Sequence, residues 1–347
     1  MPADLWLAYR LRLKRRRFLF RALRKRRQLG EQVNRTGQIR PGDILCFSTV
    51  RNEALRLPFF LDHHRKLGVR HFLFVDNGSD DGTAEYLAGQ NDVSLWHSSD
   101  SYRLSRFGVD WLAWLQIRYG HGHWCLTLDA DEILVYPYWD SRDLCALTGW
   151  LEGRGIESFG AVMLDLYPQG PLSGTTYGPG DDPTEALPWF DAGNYRRQRH
   201  KVYDNEWIQG GVRDRMFFAA EPARAPTLNK VPLVRWNRRY AYVTSTHQIL
   251  PRRLNRVFET QVAGRPSGVL LHTKFLQNVI EKSREEQSRR QHFENSALYQ
   301  PYYAALIADP DLWTPQSRRY TGWQSLVDAG LMSGGDWQGP PDAASPG

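Results

Sequence analysis

The sequence predicts an α/β protein with a mostly parallel central sheet flanked by helices and a smaller mixed region after it. Three observations point there. Short apolar runs alternate with segments of helical spacing across residues 43–140. Each of those runs ends in a polar cluster. After residue 150 the runs shorten and loops rich in Pro, Gly and Asp separate them. Strands alternating with helices imply βαβ units, and βαβ units imply parallel pairing.

The elements follow in order. "DILCFSTV" (43–50) is a buried strand by composition. In "RNEALRLPFFLDHHRKLGV", Leu55, Phe59, Phe60 and Leu67 recur at helical spacing and Gly68 stops the helix. "HFLFVDN" (71–77) is a second strand, "GSDDGT" a turn, and "TAEYLAGQ" a helix start. "VSLWHS" (93–98) is a third strand; Val109, Leu112, Ala113 and Gln116 mark another helix; "HWCLTLDADE" is a fourth strand. Beyond residue 150, "GAVMLDLYP" (160–168) reads as a strand and 168–200 as loop. "GGVRDRMFF", "PLVRW" and "AYVTSTHQ" read as short strands. "GVLLHTKFL" (268–276) leads into the charged helix "QNVIEKSREEQSRRQHFE". The expected organisation is a basic, helical N-terminal arm (1–40), a main domain (41–300) with halves 43–140 and 150–300, and a C-terminal extension (301–347), disordered from about 333.

Charge is unevenly placed. The 347-residue chain carries +7, yet residues 1–28 hold eleven Arg/Lys and one Asp, so the remainder carries −3. A nucleic-acid-binding body would need a basic face of its own, so nucleic acid is not the expected partner. Charges interrupt every apolar stretch of the arm, which excludes a signal peptide there. No run is long and apolar enough to span a bilayer. Trp6, Leu7, Phe18 and Phe20 among the arginines suit a helix lying on an anionic membrane surface through residues 5–28, although its apolar residues form no single clean stripe. A disordered basic extension and an RNA-contacting tail are the alternatives. Cys46, Cys125 and Cys145 are widely spaced, without a zinc or disulfide pattern, which fits a cytoplasmic setting.

The strand ends carry the chemistry. "CLTLDADEIL" closes an apolar run with Asp129, Asp131 and Glu132. Carboxylates crowded like this repel, so a positive charge belongs beside them. Asp129 and Asp131, two residues apart, would converge on one cation, and oxygen ligands suit Mg2+ or Mn2+. An acidic turn capping a helix is the competing reading. Asp76 ends its strand in "VDNGSDDGT", facing a ligand or holding an Asx-type turn. Arg51, Asn52 and Glu53 end the first strand.

"VRNEALRLPFFLDHHRKLGVRHFLFVDNGSDDGT", followed by "WCLTLDADEILV", resembles the GT-A glycosyltransferases, and within them the bacterial family-2-like group whose first strand ends in "RNE" and whose second carries "DNGSxDGT". The resemblance covers residues 43–290. It implies a Rossmann-like sheet binding a nucleotide-diphosphate sugar and Mn2+ or Mg2+. By position, Asp76 would contact the base and ribose, Asp129 the ribose and metal, and Asp131 the metal. It also implies a late histidine as third metal ligand, for which His272 is the candidate and His247 the rival. Lys274, Lys230, Arg213 and Arg215 would neutralise phosphate oxygens. An inverting reaction needs a carboxylate base; Asp165 is placed for it, with Glu185, Asp191, Glu206 and Asp214 in the same half. Tyr167, Tyr177, Trp189, Phe190 and Tyr195 would stack sugar rings. The implied enzyme moves a sugar to a glycan or lipid-linked hydroxyl in bacterial surface polysaccharide assembly on the cytosolic membrane face. The rivals are a nucleotidyltransferase, which "VRNEALRLP" does not suit because it lacks a Gly-rich loop, and a non-catalytic scaffold that binds nucleotide or glycan at the membrane.

Overall fold

The computed structural model describes residues 2–289 and 300–338. Its centre is a nine-stranded sheet. The strands are β1 (Gly30–Val33), β2 (Ile44–Val50), β3 (Val69–Asp76), β4 (Val93–His97), β5 (Trp124–Thr127), β6 (Glu132–Val135), β7 (Ser158–Asp165), β8 (Asn229–Arg235) and β9 (Gly268–His272). Their order is β1-β4-β3-β2-β5-β8-β7-β9-β6. Strands β2, β3, β4, β5, β7 and β9 run one way; β1, β6 and β8 run the other. The sheet is therefore mostly parallel, and its inner strands are buried along almost their whole length, as helices on both faces require.

The helices that matter for the site are α1 (Pro2–Lys25), α2 (Leu57–Lys66), α3 (Thr83–Ala88), α4 (Val109–Leu115), α5 (Leu144–Gly153), α6 (Gly211–Phe217), α7 (Val279–Arg289) and α8 (Gln300–Ile307). The chain leaves β2 toward β3 and β4 on one side, then returns to place β5 on the other. The sheet thus has a switch point between β2 and β5, where a crevice opens at the carboxyl ends of the strands. Strand direction gathers the polar ends. β2, β3, β5, β7 and β9 finish at that edge, and the antiparallel β6 and β8 begin there, with Glu132 and with Asn229 and Lys230.

Several expectations change. "GGVRDRMFF" is not a strand but helix α6, entered through Gly210 and Gly211 at φ 147° and 70°. Arg213 and Arg215 would share a face in a strand; in a helix they diverge. The loop aromatics are core: Tyr167, Tyr177 and Phe190 are buried, and Trp189 packs edge-on against Trp313. The N-terminal arm packs on the body. α1 lies on the body, with Leu11 and Ala22 buried and Arg21 holding the fully buried Asp110 at 2.8 Å. β1, also in that segment, pairs with β4 at the sheet edge. Within the tail expected to be disordered from about 333, Trp337 is buried and its Nε1 donates to the Pro137 carbonyl at 3.0 Å. Residues 339–347, and 290–299 of the charged helix, lie outside the described residues.

Helix α2 buries two histidines against the sheet. His63 Nε2 donates to the Leu134 carbonyl at 2.8 Å. Burial, with the nearby Lys66 charge, outweighs that bond and a distant Asp182, and pushes His63 down to about 4. The unfolded chain then takes up a proton near pH 6.5 that the fold refuses, so stability is full above that pH and falls as pH drops toward 4. Between pH 7 and 5 the expected loss from His63 is about 2 kcal/mol. Urea unfolding at both pH values, compared with His63→Leu, isolates it; parallel pH trends in the two proteins would refute it.

Candidate active site

The crevice opens into a cleft of about 1150 Å³. That exceeds the usual small-ligand pocket. The end of β2, the turn after β5, Lys230 on β8, His272 on β9, and helices α6 and α7 supply its polar wall.

Beneath the wall runs a chain of charges. After β5 the backbone turns, with Glu132 N–H donating to the Asp129 carbonyl at 3.0 Å, and re-enters the sheet as β6. Register then places Glu132 opposite His272 on β9, and His272 beside Asp165 on β7. His272 Nε2 lies 3.1 Å from Asp131 Oδ2, while Nδ1 donates to Asp165 Oδ1 at 2.5 Å. Arg213 Nε donates to the other Asp165 oxygen at 2.7 Å. Burial raises the Asp165 carboxyl, but Arg213 and His272 more than reverse this and hold it at about 2. For Asp131 the order is the same: burial raises it, and His272, with Arg56 and Lys274 beyond, takes it well below the carboxylate range.

Lys230 is the positive charge beside the other two acids. Its ammonium, at the start of β8, stands 2.8 Å from Glu132 Oε1 and 3.3 Å from Asp129 Oδ2. Burial and the neighbouring carboxylates of Asp129 and Asp131 lift Glu132 to about 7, against the opposing pull of Lys230. Asp129 remains half-exposed at the cleft.

Four site expectations need correction. Asp165 is not placed as a base: both oxygens accept from buried donors, its carboxyl is acidic, and it does not line the cleft. Asp76 is spent on its own turn, accepting from Gly78 N–H at 3.1 Å, Ser79 N–H at 3.2 Å and the Ser79 hydroxyl, with Gly78 and Gly82 at φ 72° and 89°. Asn77, not Asp76, reaches the cleft. Asn52 serves the same turn, its Oδ1 accepting from Asp80 N–H at 3.0 Å. His247 lines the cleft but meets no carboxylate there; its Nδ1 donates to the Asn229 carbonyl at 2.7 Å, and burial together with Lys230 lowers it to about 3.

The remaining candidates converge on the cleft. Arg51 lines it while gripping the Asn77 carbonyl at 3.0 Å and Glu285 at 3.2 Å. Glu53 lines it between Arg56 at 2.9 Å and Lys282 at 2.6 Å. Lys274 lines it too; burial lowers its pKa despite Asp131 nearby. Arg56 and Lys282 were not singled out from the sequence. Only the three-residue spacing of Glu53 and Arg56 hinted at the first. Of the other base candidates, Asp191 is tied to Arg215, Glu206 to Arg197 and Asp214 to Arg196, and neither these nor Glu185 lines the cleft.

Among the described residues no group of three or more His, Cys, Asp or Glu forms a ready cation cage. The Asp131–His272 pair nevertheless suits one. Two adjacent ligands on an octahedral ion with bonds of about 2.1 Å sit about 3 Å apart, and a ligating histidine usually has its other nitrogen held by a carboxylate. Replacing Asp165 by asparagine should therefore weaken Mn2+ binding by about 10- to 100-fold. Mn2+ titration followed by electron paramagnetic resonance checks this; unchanged affinity would remove Asp165 from the site.

No family model matches the chain, and no curated protein matches it in sequence. Among solved structures, a mannosyltransferase from Pyrobaculum calidifontis in complex with GDP-Man and Mn2+ has 18% identity and a TM-score of 0.27, covering 46% of this chain and 44% of its own. A protein assigned as a glucose-1-phosphate thymidylyltransferase from Bacillus anthracis, in complex with a sucrose, has 10% identity and a TM-score of 0.28, covering 76% of this chain and 82% of its own. This chain thus matches under half the length of the mannosyltransferase. Likenesses this weak carry no argument, and the functional reading rests on the residues of the cleft.

Proposed function

We propose that this chain is a metal-assisted glycosyltransferase, moving a sugar from a nucleotide-diphosphate donor to a hydroxyl acceptor. The supporting observation is the Asp131–His272 pair at the wall of a nucleotide-sugar-sized cleft, with His272 oriented from behind by Asp165 and Arg213. Asp131 and His272 would hold Mn2+ or Mg2+, with Asp129 at the rim. When bound, the cation supplies positive charge to a departing nucleoside diphosphate. The protein's own residues position and screen. Lys274 offers an ammonium to a phosphate oxygen; Arg51 and Glu53 hold the rim by tying the first two strand-end turns to α7. Lys230 offsets part of the repulsion between Asp129 and Glu132. Among the described residues the cleft-lining carboxylates are Glu53, Asp129, Asp131 and Glu285, none from residues 150–270. The inverting course has thus lost its candidate base.

The test is a panel of nucleotide-sugars with and without Mn2+, reading the released nucleotide. Metal-dependent nucleoside diphosphate release is expected. Pyrophosphate chemistry on sugar phosphates would instead make the chain a nucleotidyltransferase, and binding without turnover of any donor would make it a scaffold.

A further inference from the structure

Helix α1 has two apolar faces, and the fold uses one. Leu7, Leu11 and Phe18 pack against Val243, Leu250 and Tyr203, and Ala22 is fully buried. The opposite side presents Leu5, Trp6, Tyr9, Leu13, Phe20 and Leu23, between 44% and 74% exposed. Positions 6, 9, 13, 20 and 23 follow helical spacing, so these side chains form one outward stripe. Six of the eleven large exposed apolar side chains among the described residues lie on this one helix, so the stripe is not surface scatter. Exposed Arg10, Arg12, Arg16, Arg17 and Arg24 stand among and beside them.

We infer that the outward face of α1 docks on an anionic lipid bilayer. Apolar side chains interleaved with arginines match the boundary between acyl chains and anionic headgroups. Charge argues against a second copy, because pairing the stripes would oppose two segments of +10 each. Among the described residues no helix can cross a membrane, so the contact lies in the interface plane. The inner side of the same helix reaches the cleft. Lys14 lines it together with Arg103, Leu104 and Arg106, so a docked α1 would hold the cleft about one helix width, about 10 Å, from the lipid surface. Resting on the glycosyltransferase reading, this makes the acceptor a membrane-borne hydroxyl compound.

The full chain is sedimented with vesicles of phosphatidylcholine alone, or of phosphatidylcholine and phosphatidylglycerol at about 7:3. Binding is expected only to the anionic vesicles. Trp6→Asn/Leu13→Asn/Phe20→Asn and, separately, Arg16→Glu/Arg17→Glu/Arg24→Glu should each lose at least tenfold. All six residues are exposed, so folding is spared, and donor hydrolysis without vesicles should be unchanged. Equal vesicle binding by wild type and the first triple variant would overturn the docking. So would a wild-type dimer in solution that the same variant dissolves. For the acceptor, radiolabelled sugar should enter lipids of membrane-extract vesicles at least tenfold faster with wild type than with either variant. Equal labelling, or label confined to soluble glycans, would overturn that part. Absent donor turnover with intact vesicle binding would defeat the catalytic reading and leave the docking standing.

Discussion

Asp131→Asn is expected to lower the affinity for a nucleoside diphosphate in the presence of Mn2+ by about 100-fold or more, and to abolish donor turnover. The amide has the volume of the carboxylate but not its charge, so a cation bound as proposed would lose its anionic ligand while His272 stays in place. The fold loses the Asp131–His272 ion pair, so some destabilisation is expected, but it keeps its backbone contacts. Asp131 also contributes to structure through its backbone carbonyl, which accepts from Thr273 N–H at 2.8 Å and Thr273 Oγ1 at 3.1 Å, and asparagine keeps that carbonyl. Calorimetric titration of UDP and GDP with and without Mn2+ separates the effects. The metal-dependent part of the affinity should disappear and the metal-independent part remain. Wild-type binding by the variant would mean that the strand-end acids serve only the fold.

Lys230→Met should destabilise the protein by about 3–5 kcal/mol, the range for breaking one side of a buried ion pair. Lys230 is 3% exposed and Glu132 1%. Without the ammonium, Glu132 would be a buried carboxyl facing Asp129 and Asp131, the two groups that already raise its pKa. Removing the acid as well relieves much of that penalty, because a neutral pair costs less to bury than an uncompensated charge. Lys230→Met/Glu132→Gln is therefore expected to recover at least half of the loss in urea unfolding. A loss under about 1 kcal/mol for the single variant would show that Glu132 simply takes up a proton at little cost.

These predictions concern residues whose types were readable but whose partners were not. The acids of "DADE" announce a positive charge, and their composition suggested a metal. The fold adds a cation of its own, Lys230, 101 residues away from Asp129. No local pattern carries that information, because it depends on β8 lying antiparallel beside β5 and β7. Asp76 shows the opposite case. The turn chemistry of "DNGSDDGT" was legible, and the same side chain could not both hold Ser79 and face a ligand.

α1 explains a different failure. Its apolar residues formed no clean stripe because there are two, on opposite sides of one helix. A periodicity argument tests for a single face and blurs when both are apolar. A phosphate clamp of Arg213 with Arg215 follows only if the run is extended. As a helix the segment sends Arg213 to Asp165 and Arg215 to Asp191.

By itself the sequence determined the alternation of strands and helices, the mostly parallel sheet, the polar cluster at each strand end, and the helical, basic N-terminus. These follow from periodicity and turn chemistry, which act between near neighbours along the chain. Tertiary structure alone decided which acid meets which cation, that Asp131 and not Asp76 shares the cleft wall with His272, that the loop aromatics fill the core, and that α1 turns one apolar face inward and one outward. Such choices depend on strand register and helix docking. They join residues distant in the chain, 48 positions for Asp165 and Arg213 and 101 for Asp129 and Lys230, where charge and burial act through space and not along the sequence.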